Sequence, residues 1–332
     1  MKTAFLTETH YNGKWPVNFP NARTEVAWQI ALDATHFNVY QYEQVKGYDF
    51  VFIIFPKGTV NLNAVGSELV HTDNTDSKLF ASPVVETLKK YNTKVCFVQE
   101  GPAWFINDYS ILDQFNFYNQ IQGCDIIFAH NECDTFWYKG LFPGKKVTTI
   151  PTLLIEELIK DIPWKPEDKV MIGGNFCRWY GGFQSYLVAD EFGPMEKWII
   201  ESHAKRQHEG LVPDLHHLPR LMWIDWMKAL STFRYAVHLM PTVAAGTFAL
   251  NCAYFGIPCV GNINVDTQRL CFVELSVESE NIEHARRCIR NLLDIPDRLQ
   301  HCTEKAKDNY NRYFSLKAWK KHMSEAMEVS IL

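Results

Sequence analysis

The chain has 332 residues, of which 47% are hydrophobic and 14% aromatic, and a formal net charge of -5. That length exceeds one ordinary core and suits two domains, with enough apolar content to fill both. The acidic balance excludes a whole-protein basic footprint for nucleic acid, so any such partner would need a local patch. No run of about 18 apolar residues marks a membrane helix, and MKTAFLTETH lacks the apolar stretch of a signal peptide. Nine cysteines, odd in number and scattered without a Cys-x-x-Cys pair, read as reduced thiols of a cytoplasmic protein rather than a disulfide scaffold or zinc site.

In chain order, TAFLT (3–7) is the first predicted strand. A helix capped at Asn21 follows through RTEVAWQIALDA, then strands FNVYQY and YDFVFIIF, and a helix around VVETLKKY. KVCFVQ, a helix around DQFNFYNQIQ, CDIIFAH and KVTTIP complete the first half. Continuous apolar strands alternating with helices imply a parallel sheet covered on both faces. The segment 151–168 carries three prolines and reads as a linker. A second series begins with KVMIGGNF, continues through KWIIES and YAVHLM, and ends in charged helices over 283–328. In LPRLMWIDWMKAL, Trp223, Trp226 and Leu230 share one helical face and are expected in the core.

Three places carry chemistry. Gly173-Gly174-Asn175-Phe176 directly follows a strand, where glycines let backbone approach a ligand, and Arg178 offers a fork to a diphosphate. No Gly-x-Gly-x-x-Gly or Walker motif accompanies it, which argues against NAD and ATPase readings. In YAVHLMPTVAAGTFALNCAYFGIPCVGN, a helix opening at Gly246-Thr247 points free N–H groups at one spot suited to phosphate. Thr247 adds a hydroxyl, and Asn251, four residues on, shares its face and can reach a ribose hydroxyl. Glu100, in Gln99-Glu100-Gly101-Pro102 just past the strand KVCFV, is placed to act as a general base. His10, Asn12, Trp104, Asp108 and Tyr109 are expected to line the same cleft. No His-x-x-x-His or Glu-x-x-His pair is expected on a helix, so no protein-bound catalytic metal is expected.

On these residues the chain resembles the GT-B glycosyltransferases along nearly its whole length. The resemblance implies an α/β fold of two Rossmann-like domains facing across a cleft. The implied division is an acceptor domain at 1–150, a linker at 151–168, a nucleotide-sugar donor domain at 169–315, and a helix at 316–332 returning to the first domain. Retaining members carry Glu-x7-Glu in the donor unit, and here those positions hold Val243 and Asn251. A narrower resemblance, to the T-even phage DNA glucosyltransferases, rests on MKTAFLTET, YDFVFIIF, KVCFVQE and VMIGGNFCR. It implies Glu100 as the base, a Gly173-Gly174-Asn175-Phe176 phosphate loop with Arg178 displaced by one residue, and host cytoplasm as the compartment.

The reading is a metal-independent, inverting glycosyltransferase with a UDP-sugar donor. Arg178 and the N–H groups at Gly246-Thr247 are expected to stabilise the leaving diphosphate. The expected acceptor is 5-hydroxymethylcytosine in double-stranded DNA, with Trp104-Phe105 wedging the duplex and a basic patch among Lys139, Lys145, Lys146, Lys205 and Arg206. The alternatives are a glycan or small-molecule acceptor, or a non-catalytic nucleotide-binding protein.

Overall fold

A computed structural model describes residues 1–55, 60–61, 70–71, 84–108, 111–177, 179–201 and 208–331. The chain divides into two compact units: Met1–Phe19, Glu25–Ile150 and Met323–Leu332 form one, and Pro20–Thr24 with Pro151–His322 form the other.

In the first unit β1 (Thr3–Thr7), α1 (Glu25–Ala31), β2 (Thr35–Asn38) and β3 (Phe50–Ile53) come first. A two-residue antiparallel pair follows, β4 (Val60–Asn61) with β5 (Val70–His71). Then come α2 (Val84–Lys89), β6 (Lys94–Val98), α3 (Ile111–Gly123), β7 (Ile126–Ala129), α4 (Glu132–Leu141) and β8 (Lys146–Thr149). Six parallel strands lie in the order β2-β1-β3-β6-β7-β8. Strand alternation sends Phe5, Phe52 and Phe128 to one face, where Phe52 stacks on both others at centroid distances of 4.7 and 5.5 Å. Ala4, Leu6, Val51, Ile53, Phe97 and Ile127 fill the other.

Three expectations shift here. FNVYQY is strand only to Asn38, because the Asn38 side chain accepts from Tyr40 N at 3.0 Å and caps a 3-10 segment, Val39–Val45. The first helix begins at Glu25 and not at Asn21, since Thr24 sits at φ 51°. Helix α4 was not expected; Asn131 caps it by accepting from Asp134 N at 2.8 Å.

The second unit runs β9 (Glu167–Ile172), α5 (Gly182–Ala189), β10 (Glu196–Ile200), β11 (Leu215–Leu218), α6 (Trp223–Leu230), β12 (Phe233–His238) and α7 (Thr247–Phe255). It continues through β13 (Cys259–Asn262), α8 (Asp266–Cys271), β14 (Ser276–Val277), α9 (Ile282–Asp294), α10 (Arg298–Tyr313) and α11 (Leu316–Met327), whose last residues, from Met323, belong to the first unit. All six strands are parallel, in the order β11-β10-β9-β12-β13-β14. On α6, Trp223, Trp226 and Leu230 are buried as their spacing implies. Residues 151–155 are buried within this unit, where the Trp319 indole N–H donates to the Pro151 carbonyl at 3.1 Å.

No described helix is long and apolar enough to cross a membrane. All nine cysteines are free.

Candidate functional site

In the second sheet the chain starts at β9, adds β10 and β11 on one side, then returns to place β12 on the other. Connections from β9 and β12 therefore leave in opposite directions and open a crevice at the strands' carboxyl ends. Gly173 and Gly174 occupy the end of β9, His238 the end of β12, and the start of α7 lies beside them.

Contacts at these positions are too close for larger residues. A Cβ on Gly173 would lie 2.5 Å from the Phe248 ring, and one on Gly174 would lie 2.5 Å from the Tyr180 carbonyl oxygen and 3.3 Å from His238 Nε2. Phe248 in turn meets the His238 ring edge-on at 5.0 Å. The glycine turn, the histidine and the first turn of α7 are thus one packed group. Asn175 is buried and shapes the turn by accepting from Cys177 N at 3.0 Å, while its carbonyl accepts from Gly182 N at 3.0 Å. Ser185 ties the start of α5 to the end of β12: its hydroxyl donates to Gly181 O at 2.8 Å and accepts from Leu239 N at 2.9 Å. Arg178 lies outside the described residues.

Helix α7 is preceded by Gly246 at φ 70°, a left-handed conformation that L side chains rarely adopt. A Cβ there would also overlap the Thr267 hydroxyl, which donates to the Gly246 carbonyl at 2.8 Å. No side chain caps the helix and no acidic residue sits in its first turn. Its leading N–H groups and positive dipole end are left for an external anion. Thr247 is partly exposed at this end.

Asn251, one turn further, is 3% exposed and its Oδ1 has no hydrogen-bond partner. His238 Nε2 is likewise enclosed and unpartnered, although other atoms of the residue are partly exposed. Burial holds the His238 pKa down to about 3, so the imidazole is neutral at physiological pH. Each of these two atoms costs about 1–3 kcal/mol if left unpaired. In the sequence His238 reads only as part of a strand; the usable signal is an imidazole interrupting an otherwise apolar run, YAVHLM.

In the first unit, Glu100 is exposed directly after β6, where Gly101 (φ 67°) turns the chain. Its neighbour Gln99 is the buried anchor, with Nε2 donating to the Asp134 carboxylate and to Gly101 O at 2.7 Å. Asn131 Nδ2 adds a bond to Asp134 at 2.8 Å. The turn that carries Glu100 is therefore fastened to the start of α4, a support the sequence did not reveal.

His10 and Asn12 are exposed on the loop after β1. Asn38 gathers this loop: its N–H donates to Asn12 Oδ1 at 3.1 Å, and its Nδ2 donates to Glu8 O at 3.1 Å and lies 3.5 Å from His10 Nδ1. Beneath it, His36 is buried between the Thr7 hydroxyl, at 2.8 Å, and the Tyr11 carbonyl. Desolvation lowers the His36 pKa, partly offset by that carbonyl. Trp104 and Phe105 are half-buried in a 3-10 turn, Ala103–Asp108, with centroids 6.3 Å apart. Tyr109 lies outside the described residues, as do Lys205 and Arg206.

The remaining basic candidates are separately engaged. Lys139 Nζ is 5.9 Å from the centre of the Phe136 ring, Lys145 donates to Cys124 O at 3.0 Å, and Lys146 pairs with Glu328 at 2.6 Å. Among the described residues no three His, Cys, Asp or Glu side chains gather as a metal site.

No protein-family model matches the chain, and no curated protein matches it. Solved structures do resemble it over its full length. HepE of Anabaena in complex with UDP superposes with a TM-score of 0.64 at 10% identity, covering 99% of this chain and 100% of that one. The same protein with UDP-glucose gives 0.63 at 11% identity, covering 99% of each chain. Sucrose-phosphate synthase of Thermosynechococcus elongatus gives 0.60 at 13% identity, covering 99% and 98%. The fold is accordingly GT-B, built from two parallel-sheet Rossmann-like halves. These structures do not bear on the narrower phage DNA resemblance.

Proposed function

We propose that the chain is a glycosyltransferase that takes its sugar from a UDP-linked donor bound to the second unit. The observation that carries this reading is the packed group of Gly173-Gly174, His238 and the uncapped start of α7 at the sheet's switch point. UDP and UDP-glucose in the HepE complexes, whose fold matches over the full length, support the choice of nucleotide.

The chemistry assigned to these residues is a displacement at the anomeric carbon. Glu100 takes the proton from an acceptor hydroxyl as its oxygen bonds to that carbon. The bond from that carbon to the phosphate oxygen breaks, and the diphosphate leaves with the electron pair. Arg178 and the N–H groups at Gly246-Thr247 neutralise the charge that develops on it. Asn251 holds a ribose hydroxyl through its unpaired Oδ1, and His238 Nε2 is a second free partner beside the phosphate turn. One base suffices for inversion, and Asn251 in place of the retaining glutamate supports that outcome.

A DNA acceptor needs a continuous basic surface. The separate engagement of Lys139, Lys145 and Lys146 favours a hydroxyl-bearing glycan or small molecule instead. Incubation with UDP-glucose and UDP-N-acetylglucosamine tests the whole reading. Release of UDP in the absence of acceptor is expected with at least one donor, and neither UDP binding nor release would end it.

A further inference from the structure

The second unit contains another hollow, of about 460 Å³, away from the glycine turn. Its walls come from the stretch after Pro151, the last residues of α7 and the C-terminal part of α10. Helix α7 thus has the candidate donor site at its first residue and this hollow at Tyr254-Phe255, roughly 12 Å further along at 1.5 Å per residue.

The lining is held in place before anything binds. Glu156 Oε1 accepts from the Tyr310 hydroxyl at 2.8 Å and from Leu316 N at 3.0 Å, and neither bond uses Oε2. The Trp164 indole N–H donates to Phe233 O at 2.8 Å, which fixes the ring, and Lys307 Nζ lies 5.8 Å from its centre. Tyr254 meets Tyr310 edge-on at 5.5 Å. Burial and the nearby Glu156 and Asp161 carboxylates raise the Tyr254 pKa, so its hydroxyl stays protonated and able to donate.

Charge narrows the ligand. Glu156 and Glu157 contribute two negative charges and Lys160 and Lys307 two positive ones, which sum to zero, and Lys160 is paired with Glu157. Neither an anion nor a cation is selected. Fixed aromatic rings beside a carboxylate oxygen, a phenol and the Asn311 amide suit a neutral molecule with an apolar face and a rim of hydroxyls. The volume lies in the range of small-molecule sites, about 300–1,000 Å³.

We propose that this hollow is a second binding site that takes a neutral sugar. The ring packs on Trp164, Glu156 Oε2 accepts from its hydroxyls, and the Tyr254 hydroxyl, Lys307 and Asn311 donate to them. The sugar is either free or the end of a glycan chain; the hollow recognises the same ring in both.

The test uses full-length protein labelled with 5-fluorotryptophan and saturated with UDP. Methyl glucoside (free sugar) and a linear glucan (chain) are titrated while the Trp164 fluorine resonance is followed, assigned by its loss in Trp164→Phe. A saturable shift with either probe is expected, with Tyr254→Phe and Lys307→Met each weakening the probe about tenfold. No shift with either probe, or a shift that both variants leave unchanged, overturns the proposal. A probe that binds protein unable to bind UDP refutes the donor reading and leaves this one standing; UDP binding without any probe shift does the reverse.

Discussion

His238 Nε2 faces the backbone of Gly174 so closely that a methyl group on that glycine would approach it to 3.3 Å and the Tyr180 carbonyl to 2.5 Å. The end of β12 therefore limits what can stand at the end of β9. Gly174→Ala must displace the turn. Calorimetry should record at least a tenfold loss of UDP affinity, about 1.4 kcal/mol, with a smaller change in melting temperature. Unchanged UDP affinity would separate the turn from the donor site.

The neutral state of His238 makes a pH prediction with a definite sign. Its folded pKa, about 3, lies below the usual value of 6.5. Between those values the unfolded chain binds a proton that the folded chain does not. The contribution is thus fully present above pH 6.5 and is lost as pH falls towards 3, by at most about 1.4 kcal/mol per pH unit. His238→Phe should flatten the decline in urea-unfolding free energy between pH 6.5 and 4.5. An equal slope in both proteins would mean the imidazole is solvated. His36, depressed for the same reason, adds a slope of the same sign that this substitution leaves intact.

Asn251 pits stability against binding. Its buried, unpaired Oδ1 costs the ligand-free protein about 1–3 kcal/mol. Asn251→Leu, of similar size, should hold or raise the melting temperature while weakening UDP about tenfold. A fall in stability with unchanged UDP binding would identify Asn251 as a core residue alone.

Gly246→Ala combines a strained left-handed backbone with overlap on Thr267. A loss of about 1–3 kcal/mol is expected in chemical unfolding, together with weakened UDP binding because α7 can no longer begin where it does.

Glu100→Gln separates chemistry from binding. Transfer should stop while UDP affinity stays within about twofold of wild type. Parallel loss of both would make Glu100 structural.

Much of the architecture was written locally. TAFLT, KVCFV and YAVHLM are buried parallel strands because unbroken apolar runs can only be covered on both faces. Gly246 announced its helix start because few other residues fit φ 70°. Hidden features depend on partners distant in sequence. That Gln99 anchors the Glu100 turn follows from Asp134, 35 residues on. That His238 is enclosed follows from Gly174 and Phe248, which periodicity cannot bring together. FNVYQY misled because a side chain, Asn38, competed with the strand for its own backbone.

The order of the second sheet has a consequence for assembly. The walls of the candidate donor site leave from β9 and β12, which pair directly although β10, β11 and α6 lie between them in sequence. Half of the site is therefore synthesised well before the other half. A chain that ends before Phe233 has the glycine turn but nothing to press it into shape, and it acquires no affinity for the donor by degrees. Nucleotide binding should appear only once β12 is in place, so ligand capture reports the pairing of β9 with β12 and not the folding of any one segment.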